Sequence, residues 1–249
     1  MECWASQLGG CEGPQSGEHY VTRALFSGPI VVKGARWIKS KGAIPLSSAK
    51  ANILCKRHNE RLSDADVAAV NVQKVSMYAS RPPRFGQDGR MRRRPKRFHI
   101  DGKLFSRWLT KTYCNLMTLD KRTPDCDYVA HSFDEPTRRE LRVYTVWSRG
   151  ERLHSDPEHV RVTDYSDEAG NTIWVGRLVG FTWVVSTAQL EEFGSDLRLP
   201  GVAEKPSQLM HRPQELAIRA HRSRRSRVDV CPRIRLVVGP PAPSPWADL

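Results

Sequence analysis

The segment Leu54-Cys55-Lys56-Arg57-His58-Asn59 is the starting point for predicting the fold from this sequence. Two residues separate Cys55 from His58, so both side chains can reach one metal ion at a turn that enters a helix. Upstream, Cys3 and Cys11 add two more thiols. Three cysteines and one histidine form a closed tetrahedral zinc environment, and the four residues therefore predict a structural zinc site.

The separation of Cys3 from Cys11 is the irregular part of this pattern. It exceeds the usual two to four residues between paired zinc ligands, so the loop Gly9-Gly10 has to fold Cys11 back toward Cys3. The alternative is that the four residues are unrelated. We favour zinc because a small region with few core residues needs a cross-link, such as a bound metal ion, in order to fold.

A Glu18-His19 pair lies between the two halves of this proposed zinc site, about 40 residues before Asn59. Neighbouring side chains on a strand point to opposite faces, so the pair can separate a metal ligand from a general base. The side-chain oxygen of Asn59 is a neutral ligand suited to a divalent cation. A Glu-His dipeptide by itself is more often a solvated surface pair, and its weight here comes from its position.

The order of these residues resembles the zinc-stabilised HNH endonuclease superfamily, the ββα-metal nucleases. The matching segments are Gly10-Cys11-Glu12-Gly13-Pro14-Gln15-Ser16-Gly17-Glu18-His19-Tyr20 and Leu54-Cys55-Lys56-Arg57-His58-Asn59-Glu60-Arg61-Leu62-Ser63-Asp64-Ala65-Asp66. The match covers residues 3–70, about a quarter of the chain. The resemblance implies an N-terminal ββα module that hydrolyses phosphodiester bonds in nucleic acid, with DNA as the expected substrate.

The resemblance also implies a role for each matching residue. The structural zinc ligands are Cys3, Cys11, Cys55 and His58. His19 is the general base that activates water, while Glu18 and Asn59 hold a catalytic cation, Mg²⁺ or another divalent ion. Asn52 matches the middle motif position, although it lies nearer the cysteine than the family usually places it. The proline that usually follows the Glu-His pair is replaced by Thr22-Arg23.

A helix predicted over residues 59–70 brings Asp66 into consideration. Asn59, Ser63 and Asp66 fall at i, i+4 and i+7, which places them on one helix face. Asp66 can therefore supplement Glu18 at the catalytic cation. It can equally favour the exposed side of a short helix, and both interpretations stay open.

Residues 71–99 are predicted to form a basic linker or arm. Proline and glycine interrupt this stretch, and its like charges repel, so we do not expect it to fold alone. Its predicted nucleic-acid contacts are Arg92, Arg93, Arg94, Lys96 and Arg97. A second basic run at residues 219–227 is interpreted as helical.

Residues 100–192 predict a domain that combines a helix with an antiparallel sheet. Apolar residues at helical spacing follow Asp101-Gly102, with Phe105 and Trp108 in the core and Arg107 and Lys111 turned toward solvent or phosphate. From about residue 140 apolar and polar residues alternate, which predicts strands near 141–147, 160–162, 172–175 and 181–185. Residues 193–249 are predicted as a basic, Pro-rich tail with a possible last strand at 234–238. The predicted fold class is therefore α+β.

Composition narrows the classes of function. The chain has 249 residues, with 40 Lys+Arg against 27 Asp+Glu and a formal net charge of +13. A protein this basic most often binds a polyanion, which usually means nucleic acid. No apolar run approaches the roughly 20 residues of a membrane span, and no apolar leader follows Met1. We therefore expect no membrane partner and a cytoplasmic location.

Two alternatives to a nuclease remain on the sequence alone. The irregular Asn52 position and the missing proline favour a non-catalytic, zinc-containing nucleic-acid-binding protein. A structural or partner-binding protein needs the zinc site but no polyanion. The sequence lacks a P-loop, a Rossmann fingerprint and a Gly-x-Ser-x-Gly motif, which argues against nucleotide hydrolysis and serine-hydrolase chemistry.

Overall fold

The computed structural model of the protein describes residues 2–31, 43–80, 97–147, 161–166, 172–178, 181–187, 208–211, 215–222 and 232–237. Its helices are α1 Lys56–Glu60, α2 Ser63–Ser80, α3 Gly102–Leu119 and α4 Cys126–Ser132. Its strands are β1 Gln15–His19, β2 Ile30–Val31, β3 Ala43–Ile44, β4 Lys50–Cys55, β5 Arg97–Asp101, β6 Arg142–Trp147, β7 Arg161–Ser166, β8 Thr172–Leu178, β9 Phe181–Ser186, β10 Gln208–His211, β11 Glu215–Arg222 and β12 Pro232–Val237. This mixture of helices and antiparallel sheets confirms the predicted α+β class.

The N-terminal part is a hairpin followed by a helix. Strand β1 pairs antiparallel with β4, with His19 opposite Lys50 and Gln15 opposite Cys55. A register shift lies between Ser16 and Gly17. Helix α1 begins directly after β4, and the short β2–β3 pair lies between β1 and β4 along the chain.

Helix α3 packs against the unit formed by β1, β4 and α1, which is called the hairpin unit below. The Asp101 side chain caps it by accepting a hydrogen bond of 2.9 Å from the Leu104 backbone N–H, as expected for a residue at this position. Phe105 and Trp108 are fully buried, which confirms their prediction as core residues.

The polar side of α3 differs from the prediction, because it faces protein. The Arg107 guanidinium donates to the carbonyl oxygens of Ser132 and Arg61. Lys111 is only 2% exposed, so this lysine meets neither bulk solvent nor an external phosphate.

One hydrophobic core connects the N-terminal unit to α3. The Trp4 indole N–H donates to Asn115 Oδ1 at 2.9 Å, and the Trp108 indole N–H donates to Thr22 Oγ1 at 2.8 Å. Helix α2 continues ten residues beyond residue 70, the predicted end of the module. Residues on both sides of the predicted boundary at residue 100 therefore share a single core.

The C-terminal part contains a five-stranded antiparallel sheet with the strand order β10-β6-β9-β8-β7. Four of its strands confirm the alternation predicted from about residue 140. The Tyr128 hydroxyl of α4 lies 3.0 Å from the Thr172 carbonyl oxygen and 2.8 Å from that of Val185. This hydroxyl ties α4 to the ends of two strands.

A separate three-stranded sheet has the order β12-β11-β5. It corrects two predictions about the basic segments. Arg97 is the first residue of β5 and not part of an irregular arm, and residues 219–222 belong to β11 and not to a helix. The last strand predicted near residue 234 is present as β12. Arg92, Arg93, Arg94 and Lys96 lie outside the described residues.

Among the helices within the described ranges, none combines the length and the apolar character that a membrane crossing requires.

Candidate metal centre and adjoining polar cluster

Cys3, Cys11, Cys55 and His58 converge on one point. Their ligand atoms all lie within 4.8 Å of one another. His58 Nδ1 is 3.4 Å from Cys3 Sγ, 3.7 Å from Cys11 Sγ and 3.3 Å from Cys55 Sγ. A tetrahedral zinc ion separates a sulfur from a nitrogen ligand by about 3.6 Å, given its bond lengths. The donor set and its spacing therefore fit a zinc ion.

Local backbone geometry explains how residues so far apart in sequence meet. Gly9 and Gly10 have φ angles of 72° and 65°, a left-handed region that glycine enters without steric cost. These two residues turn the chain so that Cys11 returns toward Cys3, as the sequence requires. The Trp4 backbone N–H donates to the Ile53 carbonyl oxygen at 3.0 Å, which fixes the N-terminal segment beside β4.

The acid–base properties of the four-residue cluster also suit a cation. Burial and the neighbouring thiols of Cys3 and Cys55 raise the pKa of Cys11 to about 12. Burial opposes ionisation of Cys55 as well, but the backbone N–H groups of His58 and Glu12 outweigh it and lower the pKa of Cys55. Crowded thiolates repel one another, so a bound cation is what allows all of them to ionise together.

The His58 imidazole is held in its ligating form. Burial and the positive charges of Arg61 and Arg57 lower its pKa, and a neutral imidazole is the form that binds a metal. The ring also makes an edge-on contact with Phe133, with 5.1 Å between centroids. Phe133 lies in turn beside Trp4, so aromatic rings form one wall of the cluster.

A second cluster surrounds the buried ammonium group of Lys111. Its Nζ lies 2.8 Å from Glu18 Oε1 and 2.8 Å from Asp66 Oδ2. The Thr22 hydroxyl donates to Asp66 Oδ1 at 2.5 Å, and the Asn115 amide donates to Glu18 Oε1 at 3.4 Å. Two carboxylates from β1 and α2 thus share one ammonium from α3.

Opposing effects set the charges in this second cluster. Burial raises the pKa of Glu18 by more than the attraction of Lys111 lowers it. Burial alone would lower the pKa of Lys111, but Glu18 and Asp66 outweigh it, and the pKa is raised. The lysine therefore keeps its proton and supplies the positive charge that the two carboxylates require.

His19 is partly buried at the end of β1, next to this cluster. Burial lowers its pKa, and the charges of Arg23, Lys50 and Lys111 lower it further, while Asp66 acts in the opposite direction. Lys50 is the direct cross-strand neighbour of His19. His19 therefore carries a neutral imidazole near pH 7, with cationic side chains around it.

The structure brings together some of the predicted catalytic residues and not others. Glu18 and Asp66 meet through Lys111, and His19 follows Glu18 on the same strand. Asn52 is exposed on β4, opposite Gly17. Asn59 lies in α1, and no hydrogen bond or ion pair joins it to Glu18 or His19 in the described part of the chain.

Three residues of α3 that carry this second cluster were not identified from the sequence as a group. Trp108, Lys111 and Asn115 fall at i, i+3 and i+7 on one helix face. Trp108 donates to Thr22, Lys111 contacts both carboxylates, and Asn115 also donates to the His19 carbonyl oxygen at 3.2 Å. The sequence did contain a signal for this cluster, because Lys111 and Asn115 lie on the apolar face of the predicted helix. Polar residues that become buried need hydrogen-bonding or charged partners.

Comparisons of the chain with protein-family models, with curated proteins and with solved structures found no match in any of the three. The resemblance to the HNH superfamily therefore stays a prediction from the residues quoted above.

Proposed function

We propose that this protein is an HNH-like endonuclease that binds nucleic acid, with DNA as its substrate, and hydrolyses a phosphodiester bond beside His19. One observation carries the proposal. Strand β4 leads into α1 at a four-residue cluster with zinc-ligand spacing. Its partner strand β1 ends in His19, which has cationic neighbours. This combination agrees with the order of elements and residues that the resemblance implies.

In the proposed reaction His19 accepts a proton from the attacking water. A general base must be deprotonated at the working pH, and the lowered pKa of His19 meets that condition. Lys50 and Arg23 supply positive charge where the phosphate gains negative charge in the transition state. Asn115 donates to the His19 carbonyl oxygen, and it thereby acts as a positioning residue for the end of β1.

Zinc at Cys3, Cys11, Cys55 and His58 has a structural role in this proposal. Zinc bound there would supply folding free energy to this part of the chain. It fixes that segment to the start of α1. The four residues would occupy all four coordination positions of a tetrahedral zinc ion, so no position would be open for substrate.

The second, catalytic divalent cation is a separate question. The resemblance implies that Glu18 and Asn59 hold it, but Glu18 does not fit that role while its carboxylate is paired with Lys111 at 2.8 Å. Asp66 is paired with the same ammonium. A cation ligated by either carboxylate has to displace Lys111, and the requirement for an added cation is therefore part of the test.

The Lys111 contacts favour a second candidate function, a non-catalytic zinc-containing nucleic-acid-binding protein. In that case the ββα unit remains as a binding platform, and the carboxylates have a purely structural partner. We place either function in the cytoplasm, because clustered free thiols of Cys3, Cys11 and Cys55 suit a reducing compartment.

A nicking assay with supercoiled plasmid separates the two candidates. Zinc-loaded wild-type protein and the His19→Ala variant are incubated with plasmid in Mg²⁺, Mn²⁺, Ni²⁺ or no added cation. Nicking by wild type that falls in His19→Ala supports the nuclease, whatever the cation. Salt-dependent DNA binding without nicking under any of these conditions supports the binding platform.

A further inference from the structure

We propose that Lys50 and Asn52 bind a second phosphate of the nucleic-acid strand, adjacent to the phosphate that lies beside His19. The two side chains lie over Gly17 on the outer face of the β1–β4 pair, and these three residues are called the second-phosphate subsite below. The inference rests on the proposed function for its partner. It narrows the substrate to a polynucleotide strand with at least two consecutive phosphodiesters.

Strand alternation and pairing place the polar residues of the hairpin on one face. Residues two apart on a strand share a face, so Gly17 and His19 lie on the side of β1 opposite to Glu18, which is buried. Their cross-strand partners are Asn52 and Lys50. Lys50 and Asn52 are exposed and His19 is half-buried, so a ligand can reach this face.

The polar side chains of this face have no protein partner among the described residues. Within that part of the chain, no side-chain hydrogen bond or ion pair is made by His19, Lys50 or Asn52. On the other face Glu18 is paired with Lys111 at 2.8 Å. A lysine ammonium has three N–H donors and an asparagine amide has two, so the outer face offers donors to an external acceptor.

Gly17 allows Lys50 to lie across β1. A Cβ atom at Gly17 would be 3.2 Å from Lys50 Cδ and 3.7 Å from Lys50 Cε. The aliphatic part of Lys50 therefore lies over the Gly17 backbone, in the space that a larger side chain would fill. It leans diagonally toward Asn52, whose Oδ1 would be 3.9 Å from the same Cβ atom. The lysine and the asparagine amide thus lie over one glycine.

The backbone conformation of Gly17 does not explain why this residue is a glycine. A glycine in a strand weakens the strand, and it often marks a bulge or the close approach of another group. A register shift lies between Ser16 and Gly17, but Gly17 is not among the glycines with a positive φ angle. Other residues can adopt this backbone, so the close approach of Lys50 is the better explanation.

The spacing on this face suits two phosphates of one strand. Gly17 and His19 are two positions apart, which corresponds to about 6.8 Å along β1. One strand of DNA has a phosphate for about every 3.4 Å of helix axis, and its backbone winds around that axis, so adjacent phosphates lie further apart than this rise. A strand with one phosphate beside His19 can therefore place the adjacent phosphate at the subsite.

The chemistry of the subsite also suits a phosphodiester. The Lys50 ammonium supplies a compact positive charge, and charge-assisted hydrogen bonds to phosphate oxygens are stronger than neutral ones. The Asn52 amide adds a neutral donor that fixes the position of the phosphate. We expect these contacts to be independent of base sequence, because phosphates carry no sequence information.

The test compares two double variants of the full-length, zinc-loaded protein. Lys50→Gln/Asn52→Ala removes the subsite. The control Asn71→Ala/Lys74→Gln makes the same two changes on α2, where Lys74 Nζ donates to Asn71 Oδ1 at 3.4 Å, and it changes the net charge by the same amount. Binding of a fluorescent DNA duplex of about 20 base pairs, a length that exceeds one turn of the double helix, is measured by anisotropy over a range of salt concentrations.

We expect the subsite variant to reduce the slope of log K against log salt by about 0.9, because one lysine–phosphate contact is lost. Its affinity near physiological salt should fall about tenfold, since a charged and a neutral hydrogen bond are both lost. The control should stay within about threefold of wild type, as expected for one cation outside the contact region. Asn52→Ala alone should raise the KM for plasmid nicking by about fivefold, the usual effect of one hydrogen bond, and change kcat less.

Gly17→Val tests the subsite without removing a charge. Valine favours strands, so the hairpin should still fold, and circular dichroism and zinc content check this. The added side chain takes the space of the Lys50 stem, and the affinity should therefore fall toward that of the subsite variant. A Cβ atom at Gly28 would have no atom within 4 Å, so Gly28→Val should bind like wild type. Wild-type affinity in Gly17→Val contradicts the positioning role of Gly17.

The other outcomes separate the subsite from the proposed function. Equal losses in the two double variants mean that only net charge matters, and wild-type affinity in the subsite variant means that the second phosphate binds elsewhere. Either result removes the subsite and leaves the proposed function intact. Wild-type protein that binds duplex without nicking contradicts the nuclease, while the double variants still decide the subsite. Absence of duplex binding by wild type contradicts both proposals.

Discussion

Two clusters use opposite solutions to the same electrostatic problem. They are the zinc-ligand cluster, formed by Cys3, Cys11, Cys55 and His58, and the Lys111 cluster, which joins β1, α2 and α3. In the first, three thiols and an imidazole crowd together, with all their ligand atoms within 4.8 Å of one another. In the second, the carboxylates of Glu18 and Asp66 are crowded too, but Lys111 already lies between them at 2.8 Å. One cluster is suited to an external ion, and the other contains its own.

A set of carboxylates or thiols that lie close together does not by itself define a metal site. Whether such a set can bind a metal ion depends on whether another element of the fold places a cationic side chain between the ligands. Helix α3 delivers one to Glu18 and Asp66 but none to the cysteines. Removing the cation from each cluster in turn should therefore have different consequences.

The largest expected effect is loss of the first cluster. Wild type should contain about one zinc per chain, and Cys55→Ser should contain almost none, because one of four ligands is lost. The hairpin unit should then unfold, since zinc binding contributes folding free energy there. Elemental analysis and circular dichroism measure both effects.

Cys114→Ser is the matched control for this experiment. Cys114 is a fully buried thiol outside the cluster, so its substitution should leave the zinc content unchanged. Equal zinc in wild type and Cys55→Ser, or none in either, contradicts the zinc site.

The next effect concerns the second cluster. Lys111→Met removes the internal cation and leaves two carboxylates without it, so the free energy of unfolding should fall by about 3–5 kcal/mol. Glu18→Gln added to this variant should recover part of the loss, because it removes one uncompensated charge. Urea unfolding of the single and double variants measures the difference.

Lys103→Met provides the comparison on the same helix. Lys103 forms an exposed ion pair with Asp134, and such pairs contribute about 0–1 kcal/mol. If Lys111→Met costs no more than Lys103→Met, the second cluster is not the internal ion pair described above.

The third effect is on cleavage. His19→Ala should reduce plasmid nicking by roughly 10²–10⁴-fold, the usual contribution of a positioned proton acceptor. Zinc content should remain close to wild type, since His19 is not one of the four clustered residues. DNA affinity should also change little, since a neutral imidazole contributes no positive charge. Nicking by His19→Ala at the wild-type rate rules out this histidine as the base.

The smallest expected effect is a shift in the pH dependence of nicking. The pKa of His19 lies below its usual 6.5, so activity should persist to a lower pH than for an unperturbed histidine and fall when the imidazole gains its proton. Lys50→Gln removes one of the charges that lower this pKa, and the acidic midpoint should therefore rise. A pH–rate profile of both proteins measures the shift.

Lys74→Gln serves as the control, because Lys74 is an exposed cation on α2 that is not among the groups that shift the pKa of His19. It should leave the midpoint unchanged. A fall in the midpoint of Lys50→Gln is the opposite of the expected sign and argues that His19 is not the titrating group.

Short-range features of the molecule were predictable. Cys55 and His58 lie within one helical turn of each other, and the caps and alternating strands depend on neighbouring residues. The helix after Asp101 and the strands from residue 142 follow the predicted pattern for this reason. The return of Cys11 toward Cys3 was also inferable, because consecutive glycines permit the left-handed turn that it needs.

Long-range features were not predictable from these patterns. The partner of Glu18 is 93 positions further along the chain at Lys111, and no local spacing relates the two residues. A lysine on a helix is usually solvated, so its burial depends on the packing of α3 against the hairpin. A helix was predicted over residues 219–227, but residues 219–222 belong to strand β11 for a similar reason, because β5 and β12 pair with it on both sides.

Residue types and their spacing were enough to predict the α+β class and the four residues of the zinc-ligand cluster. These depend on residue type and on spacing within a turn or a strand. The burial of Lys111 between Glu18 and Asp66 and the pairing of β5 with β11 became visible only in the three-dimensional structure. Both depend on which elements pack or pair across large sequence separations, where the free energy comes from burial and register and not from local propensity.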